Sequence, residues 1–440
     1  MPTERHLVAC SDLMKQLGFT GRAERSLWFP DRFNWAPRFG FAWRPTSSDR
    51  LVLRGGYGLF FELSQFNGFH YGFNNPIQAP NQFNTFESGV TPPFTTQTAF
   101  IAGGAPPLKD AFLSLNVSPY FKQPYVHEWT FNIQSELNSN TALEVRYLGL
   151  SAIQMSYFHF FGNQAIPGPG PIQPRRLYPD LGFTAEVASG SNSNYNSLQV
   201  QLTRRMAQGL SLLAGYTWGK SLVDHDAEEG GYADGGLGQN DNNRTADYGR
   251  GVNDARQRFV FSSIYELPFG KERRWQNRGG IVNAVIGNWE VTSIVTFQTG
   301  FPITPNTSFD IANVGTGAFR PDRICNGALP TGQRTVEHWF DTKCFTDDTL
   351  IALLAAGTPR FGNSGRSILD GPGLQNWDFG LLKNFRLMER LKMQFRAEFF
   401  NAFNQAHFED PEKDITSSTA GQIFGAGEPR NIQFGLKVIW

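Results

Sequence analysis

Side chains that could do chemistry are sparse in this 440-residue chain and gather in three places. The first is acidic: Asp224, Asp226, Glu228, Glu229, Asp234, Asp241 and Asp247 stand among glycines and asparagines. Their carboxylates offer oxygen ligands of the kind Ca²⁺ takes, but the spacing is not that of an EF-hand. A solvated outside loop is the plainer reading, because charge runs are usually solvent-facing. The second is the pair Cys325 and Cys344, which share one long connection and would bridge in an oxidising compartment, or else stay as two free thiols. Cys10 is left over. The third is aromatic: Phe69, His70, Tyr71 and Phe73, with Phe66, Phe83 and Phe86 nearby, interleave with Asn67, Asn74, Asn75, Asn81 and Asn84. Flat rings beside amide donors and acceptors suit a polar organic ligand such as a sugar or peptide, and would equally suit a loop packed on its own aromatics. The seven His include no His-x-x-x-His pair, and no Cys-x-x-Cys occurs, so no metal site is expected. With no nucleophile elbow and no phosphate-binding Gly-Lys-Ser/Thr loop, the reading is of a non-enzyme with no catalytic residues and no cofactor.

Bulk properties narrow the classes further. Lys plus Arg equals Asp plus Glu at 39 each, so the basic surplus of a nucleic-acid binder is missing. No apolar run approaches the roughly 18 residues of a spanning helix. A transmembrane β-barrel remains open, because its strands meet lipid on one face only and look polar on average, in keeping with a mean hydropathy of -0.35. Residues 1–28 show no secretory signal. For an outer-membrane protein, that signal would have to lie upstream of residue 1.

The elements that must position these residues read as strands. Period-2 stretches fall at 38–44, 50–61, 126–137, 141–149, 196–205, 209–218, 256–267, 287–298, 375–385, 391–401 and 430–440, with one weaker candidate hidden in a loop. Between them, short connections (45–49, 138–140, 206–208, 268–286, 387–390) alternate with long ones (62–125, 150–195, 219–255, 299–374, 402–429). An antiparallel up-and-down barrel sends alternate connections to opposite sides, and outer-membrane barrels keep short periplasmic turns and long outside loops. A soluble sandwich or propeller also alternates apolar and polar residues. Strands near ten residues and very long connections count against both. Aromatics near strand ends, at Trp43, Tyr147, Trp218, Tyr265, Trp289, Trp377 and Trp440, would suit interfacial girdles. One short helix is expected at 347–356, capped by Asp347 or Asp348. Lys392, Arg396, Glu398, Glu128, Glu144 and Arg146 would point inward and line a polar lumen.

Several segments carry a family resemblance. Residues 34–45 (NWAPRFGFAWRP), 52–61 (VLRGGYGLFF), 194–202 (NYNSLQVQL), 216–221 (YTWGKS), 256–259 (RQRF), 266–270 (ELPFG) and 396–404 (RAEFFNAFN) resemble, in order, barrel segments of Oar-like TonB-dependent outer-membrane receptors. That resemblance implies a 22-stranded transmembrane barrel closed by an N-terminal plug, often after a carboxypeptidase regulatory-like domain. Residues 38–440 would then be about the C-terminal half of the barrel, with 11–12 strands, and residues 1–37 a partial loop or truncated preceding strand. Plug, TonB box and signal peptide would all lie upstream, and the inward charges would meet the plug.

The resemblance also implies a function, namely uptake or binding of a large nutrient such as an oligosaccharide, peptide or siderophore, energised through the TonB complex. The alternative is an outer-membrane binding or adhesion barrel without energised transport. Its partners would be outer-membrane lipid, the barrel-assembly machinery, the plug and an extracellular ligand. The last strand, with Phe434, Leu436, Val438 and Trp440 on its apolar side, resembles the signal that the assembly machinery reads.

Overall fold

In a computed structural model of the chain, the described residues are 31, 33–46, 50–62, 77–78, 112–117, 121–180, 184–225, 238–240, 242–276, 279–315, 317–386 and 391–439. Eleven strands follow one another in a single antiparallel path: β1 (Arg38–Trp43), β2 (Leu51–Phe61), β3 (Tyr125–Asn138), β4 (Thr141–Gly162), β5 (Thr184–Ala207), β6 (Leu210–Val223), β7 (Gln257–Glu266), β8 (Trp289–Gln298), β9 (Leu374–Arg386), β10 (Lys392–Phe400) and β11 (Asn431–Ile439). Each pairs only with its sequence neighbours along this path, the order of an up-and-down barrel wall. Every strand expected from period-2 alternation is present. A further strand inside a long connection, Phe112–Val117, runs parallel to the outer end of β5 and so is not a stave of the wall.

Because directly opposed residues share a face, the register divides the wall into two continuous surfaces. One is apolar: Phe41 opposes Gly55, which opposes Phe131, which opposes Tyr147, which opposes Leu198, which opposes Trp218. It continues through the pair Phe259 and Phe297 and through Phe379 opposite Phe399, ending with Ala397 opposite Phe434 and Phe395 opposite Leu436. Many side chains of this face stay uncovered, Phe39 at 71%, Trp218 at 55% and Phe434 at 68% exposure. A sandwich would have laid a second sheet on this face. Nothing of the described chain does so, which leaves lipid as its solvent. Polar groups within the band pair across the strands: Ser263 and Ser293 hydrogen-bond to each other at 2.9 Å, and the Tyr57 hydroxyl lies 2.7 Å from His127 Nδ1.

The dry cores lie elsewhere. One cluster joins Ala165, Ile311, Ala312, Val314, Phe319 and Leu350, and a second joins Ile303, Phe340, Cys344, Phe345 and Leu369. All of these residues come from long connections, so the connections fold into a cap of their own at one rim of the wall. Two strand expectations need correction here. Stretches 141–149 and 196–205 are only the membrane portions of β4 and β5, which run for 22 and 24 residues where a bilayer requires about 9–11. Much of the expected loop 150–195 is therefore ladder. Its register shifts after Ala152 and again after Met155 and His159, with Gln154 at φ 56°, the mark of a bulged ribbon leaving the membrane.

The helices also differ from expectation. Helix α1 (Gly280–Ile286) occupies a stretch read as plain turn. Helix α2 (Asp348–Ala355) was expected, but the Asp347 side chain does not cap it; that carboxylate accepts from the Thr307 hydroxyl instead, at 2.5 Å.

Candidate functional site

The polar surface of the wall is assembled by the same register. Opposed to one another across the ladders stand Asn132 and Arg146, Gln134 and Glu144, Gln199 and Arg146, Gln201 and Glu144. On the later strands Glu398 and Arg396 meet Gln433 and Gly435. Val260, Ile264 and Ile294 interrupt this surface, but charged and amide groups dominate it. They also satisfy one another: Asn132 Nδ2 and an Arg146 guanidinium nitrogen each donate to Glu144 Oε1 at 2.6 Å, Arg396 pairs with Glu398 at 3.1 Å, and Asn376 Nδ2 donates to Asp378 at 2.9 Å. A face built this way takes water or a hydrogen-bonding protein surface, not lipid.

The cap is fastened by charges that sequence reasoning placed in solvent. Asp247, read as part of a solvated acidic loop, is buried with Arg320, whose guanidinium reaches its Oδ1 at 2.5 Å; their side chains are 3% and 4% exposed. Burial pushes the Asp247 carboxyl above the usual range, and Arg320 pulls the other way. Gln239 completes the knot. Its backbone N–H donates to Asp247 at 3.2 Å, its amide donates to the Gly362 carbonyl at 3.0 Å, and its Oε1 accepts the Arg320 N–H at 2.8 Å. Gln164 donates to the Gln239 carbonyl at 3.2 Å, so the connections after β4, β6 and β8 meet at one point. The connection after β10 joins through Ser308, which donates to Asp414 at 2.6 Å. Gly362 lies against the backbone of Arg320 and Pro321 so closely that a Cβ would overlap it.

A second buried acid, Asp322, receives both arms of the Arg360 fork at 2.9 and 2.7 Å and the Asn363 N–H at 3.0 Å. The Arg360 guanidinium holds its carboxyl below the usual range against the opposing effect of burial. Cys325 and Cys344 are bridged, with Cα atoms 4.8 Å apart. The bridge closes a loop whose far end, Cys344, belongs to the second dry core. Among the side chains that the cap turns outward are large apolar and aromatic ones: Ile166, Leu177 and Ile324 are exposed, as are Phe309 and Phe424.

A family model described as an outer membrane beta barrel domain matches residues 5–433. The chain belongs to this family. As an outer membrane β-barrel, it places its apolar face in the lipid of that membrane, with the polar face turned to the lumen. Comparison with curated proteins returned no match. Among solved structures it is similar to the outer membrane transporter YddB from Escherichia coli, at 9% identity and TM-score 0.47, over 92% of this chain and 40% of that one. It is similar also to the ferric-catecholate import receptor Fiu from E. coli (10% identity, TM-score 0.42, 91% and 34% covered). A third is BauA, the ferric preacinetobactin receptor from Acinetobacter baumannii (10%, TM-score 0.41, 91% and 36%). The chain thus spans well under half the length of these structures.

Of the residues singled out from sequence, Phe69, His70, Tyr71 and Phe73 lie outside the described residues, as do Asp226, Glu228, Glu229, Asp234 and Asp241. Among the described residues no cluster of three or more His, Cys, Asp or Glu could hold a metal. Asp224 instead accepts from the Ser191 hydroxyl and the Asn192 N–H, at 2.7 and 2.9 Å. Phe434, Leu436 and Val438 stand on the apolar face of β11, and Trp440 lies outside the described residues. The buried acids of the cap escaped sequence reasoning because each partner is far away in the chain, 73 positions for Asp247 and Arg320.

Proposed function

We propose that the chain is the C-terminal barrel portion of a TonB-dependent outer-membrane receptor that binds a large nutrient at its cap and passes it through the lumen. The observation carrying this reading is the polar face: a wall of paired charges and amides, Glu144 with Arg146 and Asn132, Arg396 with Glu398, on the side away from lipid. Such a surface is what a plug needs if it is to be held by hydrogen bonds and still be movable. Family membership supports the membrane placement. The cap supports the capture step, since four long connections are locked into one body that presents aromatic and aliphatic side chains outward. In this reading energy reaches the barrel through the TonB complex and a plug outside the present chain.

The test is genetic and biochemical together. Cells lacking this gene and cells lacking TonB are compared for uptake from a mixed pool of radiolabelled oligosaccharides, peptides and iron chelates. The proposal expects the same compound to be lost in both strains. Binding that disappears only with the gene, while no uptake depends on TonB, would instead mark a binding or adhesion barrel.

A further inference from the structure

The short side of the barrel carries one connection unlike the others, between β7 and β8, and its helix α1 is inverted for life in water. Its polar residue, Asn283, is turned toward the protein, where Oδ1 accepts the Lys271 N–H at 2.7 Å. Its apolar residues point away: Ile281 is 84% exposed, Val285 62% and Val282 41%. Ile281 and Val285 are one helical turn apart and share a face. A seven-residue helix has little stability alone, so this orientation is imposed by its attachments. Those attachments belong to the lipid-facing band. Trp289 Nε1 donates to the Val285 carbonyl at 2.8 Å, and Lys383, whose register partners are Trp289 and Phe395, reaches the Val285 carbonyl at 3.3 Å and the Gly287 carbonyl as well. The Lys383 ammonium also sits 5.1 Å from the Trp289 ring centroid. Immediately before the helix, Lys271 and Arg274 are exposed, and the Arg274 guanidinium lies 5.7 Å from the half-exposed Trp275 ring.

We infer that the β7–β8 connection is an interfacial anchor, with α1 lying in the membrane plane and Ile281, Val282 and Val285 inserted among the acyl chains of the adjacent phospholipid leaflet. An apolar helix face backed by basic side chains and tryptophan is the pattern of helices that rest about 5–10 Å into the headgroup boundary. Continuity decides the occupant. The exposed helix face extends the apolar wall at its rim, so the solvent that covers the wall covers the helix. Lys271 and Arg274 then stand at the level of the headgroup phosphates, with Trp275 and Trp289 as the ring anchors expected at that depth.

The inference rests on the lipid-facing assignment of the wall, and the test separates the two. The full chain carrying Cys10→Ser and Ile281→Cys is labelled with a small fluorophore and folded into vesicles of phosphatidylethanolamine and phosphatidylglycerol, with or without acyl chains brominated near the headgroup. Leu202→Cys on the apolar face and Gln201→Cys on the polar face serve as references. Bromination should quench emission from position 281 to the same extent as at 202, and leave 201 unchanged. A label at 281 as unaffected as one at 201, while 202 is quenched, would overturn the anchor and assign the helix face to water, a second copy or a protein. Absence of quenching at both 202 and 281 would overturn the wall assignment and the anchor with it.

Discussion

At the scale of single residues the cap is held by acids whose environments differ in sign. Arg360 depresses Asp322, so its contribution is fully present above the unfolded carboxylate value of about 3.9 and is lost as pH falls through the lower folded value. Asp322→Asn should therefore flatten the acid side of the cap's stability profile and cost about 1–3 kcal/mol at neutral pH. Amide exchange of 322–323 and 360–363 measured from pH 7 to pH 3 reads both, and an unchanged profile in the variant would exclude Asp322 as the source. Asp347, raised by burial with Thr307 opposing, acts in the reverse sense: its folded form gains on acidification through the raised value. For the buried pair, Arg320→Met takes from Asp247 its ion-pair partner, leaving the Gln239 N–H and the weaker pull of Arg366, and should destabilise the cap by up to about 3–5 kcal/mol, while adding Asp247→Leu should return part of that loss. A double-mutant cycle followed by local hydrogen exchange checks it. A double-variant loss equal to the sum of the two single losses would show that the pair does not act as a unit. None of this was legible in the chain. Asp247 reads as one more acid in a glycine-rich run, and only the tertiary fold supplies Arg320, Arg366 and Gln239 around it.

At the scale of elements, the strands within the membrane were legible because lipid on one side and polar lumen on the other enforce strict alternation, as from Leu391 to Phe399. Where that pressure ends, the signal ends. The outer halves of β4 and β5 lack alternation and carry bulges, so they read as loop although they pair. Helix α1 was hidden for a related reason. A run of Gly-Ile-Val-Asn-Ala-Val-Ile shows no inward apolar stripe, since its apolar side faces away from the protein. The last strand makes a prediction of its own kind. Phe434, Leu436 and Val438 present an apolar row to the membrane, and we propose that this row with Trp440 addresses the chain to the assembly machinery. Deleting Trp440 should reduce the folded, heat-modifiable species in outer-membrane fractions several-fold; an undiminished yield would refute the role.

At the scale of the molecule, the wall has two solvents and two rims. Its apolar face is exposed because lipid covers it, its polar face carries paired charges and amides because water or protein meets it, and its dry cores are displaced to the cap. This division also explains an average composition that looks unremarkable for a soluble protein. The regular alternation of short and long connections was visible in the chain and gives the rims their identities. That the long connections fold together around two cores was not, because their apolar residues follow no period, whereas the Cys325–Cys344 bridge was among the pairings the chain offered. The central claim is the orientation: cap outside, β7–β8 connection in the periplasm. The direct measurement is labelling of intact cells with a membrane-impermeant maleimide, using Leu177→Cys and Phe424→Cys on the cap and Lys271→Cys on the opposite rim, each in a Cys10→Ser background. Leu177→Cys and Phe424→Cys should label in intact cells, and Lys271→Cys only after the outer membrane is permeabilised; labelling of Lys271→Cys alone in intact cells would contradict the account.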